Sequence, residues 1–441
     1  MSADHDEGLR RAQRLHLSGD ADGAELAYRA LLDDAALGAP AAHWLGFLLM
    51  QQGRLDEALA WLERAVAADD GHAEWHFNLG LVRARLGRSE EAVFALREAA
   101  RRDPSRYFYW TNLGAQLMRL GAQLMRGGQD AEAEQALRRA ASLDPHCPDA
   151  FYLLTEMLLR QGRHAEARRC NAQGVLAEPP GTMAPIAVGQ ALCELGRSEE
   201  ARSLAQSWLL AQPGHPVARH MLAAFGGGDA PADGDDEYVG CAFDAAAASF
   251  DQDLSRLRYQ GPSWTAACLA GLSLAPKSLS ALDLGCGTGL IGEVLKPWAS
   301  RLDGVDLSAG MLARAGTKGI YDSLEQAELR AFLRQTDRTY QLIACMDTLP
   351  YLGELDALFM LLAERMAPGG LLLFCTESLE DEEAGDGRLH HSGRYRHHSR
   401  YLDRLLAVGW DVLERARMPV RDEAGCPVWG DFVCARKVFA A

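Results

Sequence analysis

Small and apolar residues recur at a fixed interval along the first half of the chain. The same positions return 34 residues apart, from Gly46, Gly53, Ala58, Leu62 and Ala65 to Gly80, Gly87, Ala92, Leu96 and Ala99. Small residues let two antiparallel helices approach closely, and a glycine ends the first helix of each pair with a left-handed cap. A proline such as Pro104 stops the second helix before the next pair begins. The pattern therefore predicts stacked helical hairpins.

A period of 34 residues is typical of the tetratricopeptide repeat. The frame fits six repeats, at residues 5–38, 39–72, 73–106, 107–147, 148–181 and 182–215, and a capping helix at 216–225. We therefore expect an all-α tetratricopeptide-repeat solenoid over residues 5–225. The concave groove of such an array usually binds a protein or peptide, although self-association alone would also explain it.

The fourth repeat contains a tandem duplication, in which residues 114–120 are copied almost exactly at 121–127. Seven residues make almost two helical turns, so the same face of the helix stays inward. We therefore expect the first helix of this repeat to be longer than its counterparts.

A Gly/Asp-rich segment without an apolar period separates the two halves of the chain. Residues 226–236 read Gly-Gly-Gly-Asp-Ala-Pro-Ala-Asp-Gly-Asp-Asp, a composition that favours a flexible, extended linker. The second domain should then occupy residues 237–441.

The second half replaces the helical period with short apolar strands that alternate with helices. The strand at 279–284 runs into the turn Gly285-Cys286-Gly287-Thr288-Gly289, and the next strand, 302–306, ends in Asp306. Further strands are predicted at 341–345, 371–375, 410–416 and 431–437. Such a pattern predicts a doubly wound α/β sheet that binds its ligand at the carboxyl ends of the strands.

The glycine-rich turn permits two interpretations. The run from Gly287 to Gly292 fits G-x-G-x-x-G, the fingerprint of dinucleotide binding, which would make the protein a nicotinamide oxidoreductase. Asp283, just before the first glycine, favours S-adenosylmethionine, because an acid there suits an ammonium group and not a phosphate. The segment 307–312 after Asp306 points the same way.

Three segments carry a family resemblance: Asp-Leu-Gly-Cys-Gly-Thr-Gly at 283–289, Val-Asp-Leu-Ser-Ala-Gly-Met-Leu at 305–312 and Ala-Pro-Gly-Gly at 367–370. They resemble the class I S-adenosylmethionine-dependent methyltransferases. Residues 243–440 also look like a bacterial group of predicted methyltransferases that carry tetratricopeptide repeats. The resemblance implies a Rossmann-like sheet of seven strands with the last strand antiparallel, and a transferase of one-carbon groups that uses S-adenosyl-L-methionine.

The resemblance also implies which residues bind the cofactor. The methionine end would meet the glycine turn, the ribose would meet Asp306, and Glu328 would accept from the adenine amino group. The whole implied set is Asp283, Gly285, Cys286, Gly287, Gly289, Asp306, Leu307, Met311, Glu328, Leu329, Met346 and Asp347. Gln341, where the family commonly has Asp, and Pro350 depart from the family pattern.

Catalytic residues do not follow from the sequence, but five candidates lie near the predicted ligand edge: Asp347, Tyr351, Glu377, Arg394 and His397. Each has a plain structural alternative, such as a helix cap for Asp347, core packing for Tyr351, an ion pair for Arg394 and a solvated loop for His397. The spacing of His390, His391, His397 and His398 is not that of a zinc site, so no metal is expected.

Composition narrows the class of protein further. A net charge of −16 disfavours a nucleic-acid substrate, since such binders need a basic surface. No apolar run is long enough to span a membrane, and the acidic N-terminus does not resemble a signal peptide. Ten scattered cysteines fit reduced thiols of the cytoplasm.

We therefore expect a cytoplasmic methyltransferase whose repeats recruit or present a protein, peptide or carrier-bound substrate, although a small-molecule acceptor is also compatible. The alternative is a non-catalytic, cofactor-sensing scaffold built on the repeats. The sequence names neither the acceptor atom, nor the partner, nor the oligomeric state.

Overall fold

The computed structural model describes residues 2–124, 128–228, 235–380 and 385–438. The chain divides into two compact units, Met1–Thr182 and Met183–Ala441. This division falls at the border between the fifth and sixth predicted repeats, so the domain limits inferred from the sequence stay a prediction. In the described part of the chain, every helix is too short or too polar to cross a bilayer.

The first unit is built from helices that pack against their neighbours in sequence. Its described helices are α1 (Ser2–Leu17), α2 (Ala21–Ala30), α3 (Gly38–Gln51), α4 (Leu55–Ala68), α5 (Ala73–Arg85), α6 (Ser89–Arg102), α7 (Tyr107–Leu124), α8 (Gly128–Leu143), α9 (Pro148–Arg160) and α10 (His164–Ala177). The helical solenoid predicted from the period of 34 residues is confirmed.

Glycines set how closely the two helices of a hairpin approach. A Cβ added to Gly80 on α5 would lie 2.7 Å from Cγ of Leu96 on α6, far inside van der Waals contact. The equivalent Gly46 on α3 meets Leu62 of α4 in the same way, at 2.6 Å. The recurring glycine is therefore a packing requirement, as the sequence pattern predicted.

The duplicated heptad lengthens the first helix of its hairpin. Helix α7 has 18 residues, whereas its counterparts α5 and α9 have 13 each. It continues through residues 114–120 without a break, which confirms the longer helix; residues 125–127 of the second copy lie outside the described residues.

The second unit opens with helices that the sequence assigned to the last repeat and its cap: α11 (Pro185–Glu194), α12 (Ser198–Ala211) and α13 (Pro216–Ala224). His220 of α13 stacks on Tyr238 of the next helix, with ring centroids 3.8 Å apart and planes only 4° from parallel. Its Nε2 also lies 2.8 Å from the carbonyl oxygen of Gly393. Helix α13 is therefore joined to the sheet region that follows.

The predicted linker, residues 226–236, is described only at its two ends, since 229–234 lie outside the described residues. Asp235 caps α14 (Asp236–Ala246) by accepting from the backbone N–H of Tyr238, at 3.0 Å. Arg219 donates to the same carboxylate, at 3.1 Å. The C-terminal end of this segment thus begins a helix.

A mixed sheet forms the centre of the second unit, with strand order β3-β2-β1-β4-β5-β7-β6 and with β9 lying between β5 and β8. Its strands are β1 (Leu279–Leu284), β2 (Ala299–Asp306), β3 (Ser323–Gln326), β4 (Tyr340–Cys345), β5 (Met366–Ser378), β6 (Gly387–Leu389), β7 (Tyr395–His397), β8 (Trp410–Glu423) and β9 (Cys426–Lys437). Strands β1 to β5 are parallel, and β9 runs antiparallel to both β5 and β8. The predicted α/β sheet with an antiparallel last strand is confirmed, and the short hairpin β6–β7 adds two strands to the seven expected.

Helices cover both faces of this sheet, because successive residues of a buried strand point to opposite sides. Leu282 of β1 packs into one apolar cluster and Ala281 into the other. The helices of the unit after α14 are α15 (Phe250–Arg256), α16 (Gly261–Gly271), α17 (Leu290–Leu295), α18 (Ala309–Thr317), α19 (Leu329–Gln335), α20 (Asp356–Arg365) and α21 (Ser399–Leu406), with a 3₁₀ turn at Leu349–Tyr351.

The last hairpin is longer than the sequence predicted. Strands were expected at 410–416 and 431–437, but β8 continues to Glu423 and β9 begins at Cys426. Ala424 and Gly425 connect them with positive φ angles of 48° and 73°, a geometry typical of a tight two-residue turn. Because β8 runs parallel to β5, its extension reaches the carboxyl edge of the sheet.

Candidate functional site

The glycine turn after β1 is a tight backbone loop at the carboxyl edge of the sheet. Gly285, Gly287 and Gly289 all have positive φ, at 79°, 53° and 91°. The backbone N–H groups of Gly285 and Cys286 both donate to the carbonyl of Val305, at 2.8 and 3.0 Å. A Cβ on Gly285 would lie 2.3 Å from Oγ1 of Thr348, so only glycine fits that position.

Asp306, the last residue of β2, is fastened to this turn. Its Oδ2 accepts from the backbone N–H of Gly287 at 2.8 Å, and its Oδ1 accepts from the backbone N–H of Ser308 at 2.9 Å. Burial raises the pKa of the Asp306 carboxyl, and these N–H donors oppose that rise. The carboxylate is thus held in one orientation beside the turn.

Asp283 lies beneath the turn, fully buried. The phenol of Tyr321 donates to its Oδ2 at 2.7 Å. Burial raises the pKa of Asp283 to about 7, although the bond from Tyr321 lowers it. A contact of this carboxyl with an ammonium group stays a prediction.

A cavity of about 250 Å³ opens above the turn. Of the residues proposed from the sequence, its wall includes Gly285, Cys286, Gly287, Asp306, Leu307, Glu328, Leu329, Met346, Asp347, Tyr351 and Arg394. The other proposed residues, Asp283, Gly289, Met311, Glu377 and His397, are not part of the wall. Residues 280 positions apart in no other respect related are absent from this set, because all of them come from the carboxyl edge of one sheet.

 

Glu328 has a structural role as well as a place in the wall. Its side chain caps α19 by accepting from the backbone N–H of Ala331 at 2.7 Å, and it accepts from Nε of Arg330 at 3.1 Å. The helix-cap interpretation therefore applies to Glu328, and a contact with an adenine amino group stays a prediction.

Two short helices, α14 and α15, cover the mouth of the cavity. Phe243 of α14 packs edge-to-face on Tyr351, with ring centroids 5.1 Å apart. Asp244 accepts from the backbone N–H of Gly310 at 2.9 Å and also from the hydroxyl of Ser308, and these bonds lower the pKa of Asp244. The cover is therefore tied to the turn after β2 that also holds Asp306.

Five charged side chains meet at the opposite end of the cavity. Arg421 on the extended β8 donates to Asp347 at 2.8 Å, to Glu423 at 2.9 Å and to Glu377. Arg394 donates to Glu377 at 2.6 Å and also to Glu423. Both arginines are buried, so the carboxylates satisfy cations that water does not reach.

Asp347 stands in a conformation that few residues adopt. It directly follows β4 and has a φ of 55°, in the left-handed region that aspartate tolerates better than most side chains. Burial raises the pKa of its carboxyl, and the charge of Arg421 opposes the rise. An unusual backbone angle and an oriented carboxyl in a cavity wall are typical of functional positions.

Glu377 and His397 are buried behind the cavity wall. Burial alone would raise the pKa of Glu377, but Arg394, Arg421 and Arg396 lower it below its usual value. His397 lies 3.2 Å from the carbonyl oxygen of Gly353, and burial lowers its pKa to about 4.

The histidine-rich stretch is not uniformly solvated, since His397 and His398 are both buried. The solvated loop considered for this stretch is therefore wrong for these two residues, because β7 inserts them into the second unit. Across the described ranges, no three His, Cys, Asp or Glu side chains gather as a metal would require.

Sequence reasoning missed Arg421 and Glu423, which both line the cavity. The signal was the pair Ala424-Gly425, a turn dipeptide that would have extended β8 past residue 416. Thr288 was also missed; its hydroxyl donates to Asp251 of α15, directly over the glycine turn.

Comparison with known proteins identifies both halves of the chain. Residues 258–411 match the family model described as a methyltransferase domain. Residues 39–105 and 124–184 match models of the tetratricopeptide repeat. The chain is therefore a fusion of tetratricopeptide repeats with a methyltransferase domain.

Individual relatives agree with this description. Methyltransferase-like protein 27 of Homo sapiens is 39% identical over 89 residues, which are 20% of this chain and 36% of that protein. Ubiquinone biosynthesis O-methyltransferase of Burkholderia ambifaria is 28% identical over 100 residues, or 22% of this chain and 43% of that protein. The chain thus spans less than half the length of these relatives.

A solved structure, magnesium protoporphyrin IX methyltransferase from Synechocystis PCC 6803 with bound SAH, is similar at 16% identity and a TM-score of 0.36. The match covers 46% of this chain and 96% of that one.

We predict that Arg421→Met destabilises the second unit by about 3–5 kcal/mol, because it leaves buried carboxylates without their cation. Urea unfolding of the full-length variant, followed by tryptophan fluorescence, would measure the loss. Arg417→Gln is the matched control, since Arg417 lies on the same strand with a side chain 40% exposed. Equal unfolding curves for Arg421→Met and the control would contradict the prediction.

Asp283 should make stability depend on pH. Its folded pKa of about 7 lies above the unfolded value, so the native state holds the proton more tightly and loses stability as pH rises through 7. Asp283→Asn removes this loss. Melting temperatures of both proteins at pH 5 and pH 8 should therefore shift in favour of the variant at the higher pH, and a constant difference would refute the idea.

Proposed function

We propose that this fusion protein is an S-adenosylmethionine-dependent methyltransferase whose repeats recruit or present a protein, peptide or carrier-bound acceptor. The cytoplasm is the proposed location. The proposal combines the methyltransferase domain with the charge distribution around the glycine turn, which favours a cationic cofactor.

The observation that carries the proposal is the bond from Gly287 to Asp306. A dinucleotide would need the backbone N–H groups of this turn for its pyrophosphate, but the N–H of Gly287 is already donated to a carboxylate at 2.8 Å. Asp283 lies beneath the turn and Asp251 is bonded to Thr288 above it. Three acids around one turn disfavour a phosphate and favour a ligand with positive charge.

The remaining residues of the wall fit the other parts of S-adenosylmethionine. Asp306 has lone pairs left for two ribose hydroxyls, because each of its oxygens accepts only one protein hydrogen bond among those described. Leu307, Leu329 and Met346 supply apolar surface for an adenine ring. Gly285 and Gly287 let the ligand approach the backbone.

When bound, the cofactor supplies an electrophilic methyl group on a sulfonium. The protein then has to align the acceptor and exclude water, and α14 and α15 suit the second task because they close over the turn. Asp347 would face an acceptor that enters between Tyr351 and Arg421. Its carboxylate can take a proton from a hydroxyl or amine acceptor, whereas a carboxylate acceptor would need no base.

The repeats would act by raising the local concentration of the acceptor. Two modules in one chain convert the second encounter into an intramolecular one, which raises the apparent affinity without any new contact at the reacting atoms. Tetratricopeptide arrays usually bind peptides or proteins in their concave groove.

Calorimetric titration of the full-length chain tests the choice of cofactor. We expect S-adenosylmethionine to bind and NAD to give no heat. Asp306→Ala should weaken S-adenosylmethionine by about a hundredfold or more, because two hydrogen bonds to a charged group are lost.

Glu325→Gln is the matched control, since Glu325 is an exposed acid on the neighbouring strand β3. Binding of NAD alone would replace the proposal with a nicotinamide oxidoreductase. Tight binding of S-adenosylmethionine without turnover on any acceptor would favour the non-catalytic scaffold.

Removal of residues 1–182 tests recruitment. The cut respects the border of the second unit and keeps α13, whose His220 bonds to Gly393. We expect unchanged affinity for S-adenosylmethionine but at least tenfold slower transfer of labelled methyl groups into an extract of the native host. Equal rates for the full-length and shortened chains would show that the repeats do not recruit the acceptor.

A further inference from the structure

The second unit contains a second cavity, of about 600 Å³, away from the glycine turn. Helices α12 and α13 form one side, and the hairpin β6–β7 with its turn forms the other. Five basic residues line it: Arg202, Arg388, His390, His391 and Arg396. Within the described ranges, no aspartate or glutamate belongs to its wall.

Such a collection of cations is unexpected in this chain. The protein carries 61 acidic and 45 Lys and Arg residues, for a net charge of −16. Like charges that line one cavity repel one another, so their convergence is costly unless a counter-charge enters. A cavity with walls of one sign focuses that field on its interior.

The acids nearby hold these cations from behind without lining the cavity. Glu199 pairs with Arg202, Glu194 lies 3.4 Å from His391, and Glu377 lies 3.8 Å from Arg396. A guanidinium has five N–H donors in a fixed fork, so one carboxylate does not exhaust it. These pairs fix the directions of the side chains and leave donors for a ligand.

We propose that this cavity binds a phosphate monoester. The three guanidinium groups come from three separate elements, α12, β6 and β7, and so approach the cavity from different directions. A planar carboxylate suits one fork, whereas a tetrahedral dianion offers three acceptor oxygens and can accept from several forks at once. The volume leaves room for an organic group beyond the phosphate.

The site does not depend on the proposed methyl transfer. Its residues are separate from those of the glycine turn, so phosphate binding can be measured without S-adenosylmethionine. Failure of one proposal therefore leaves the other intact.

Calorimetry of the full-length chain at fixed ionic strength tests the proposal, with inorganic phosphate, glycerol 1-phosphate and succinate as probes. We expect both phosphates to bind at least tenfold more tightly than succinate. Arg202→Gln and Arg388→Gln should each weaken them by about tenfold, because each removes a charged donor.

Arg404→Gln is the matched control, since Arg404 lies on α21 outside the cavity and its side chain is 59% exposed. Melting temperatures of all three variants close to that of the unmodified chain establish that they fold. Absence of phosphate binding, equal affinities in the variants and the control, or succinate binding as tightly as phosphate would each overturn the proposal.

Discussion

The buried guanidinium of Arg421 is the interaction on which the acceptor end of the cavity depends. A cation removed from water must be surrounded by carboxylates, and here they come from the ends of three strands: Asp347 after β4, Glu377 on β5 and Glu423 on β8. One side chain thereby fixes the relative positions of three strand ends. The long β8–β9 hairpin exists, in physical terms, to bring that cation to the carboxyl edge.

The other end of the cavity follows the opposite rule, because there the charges are acidic and their partners are backbone N–H groups and hydroxyls. Asp306 is held by Gly287 and Ser308, while Asp283 is held by Tyr321. Acids bonded in this way keep their orientation without a nearby cation. The cavity therefore has an acidic end and an ion-paired end, which distinguishes the two halves of any ligand that spans it.

Much of this architecture could be predicted from sequence, because it rests on local rules. The 34-residue period, the glycine turn and Asp306 are each encoded within a few residues, and the helices, strands and cavity wall agree with them. Arg421 could not be found so, because its partner Asp347 is 74 residues away and only strand pairing brings them together. The burial of His397 likewise depends on β7, a strand of three residues with no periodic signal.

The 18-residue helix α7 shows how such an array can lengthen without losing its core. An insertion of seven residues turns the helix by only about 20° from its former phase, whereas an insertion of five would turn it by about 140° and expose the buried face. Gly114 still packs against Leu137, where an added Cβ would lie 2.5 Å from Cγ. Slippage by seven codons is therefore nearly silent in this gene, and the length of a single repeat can drift under selection while its packing surface is inherited unchanged.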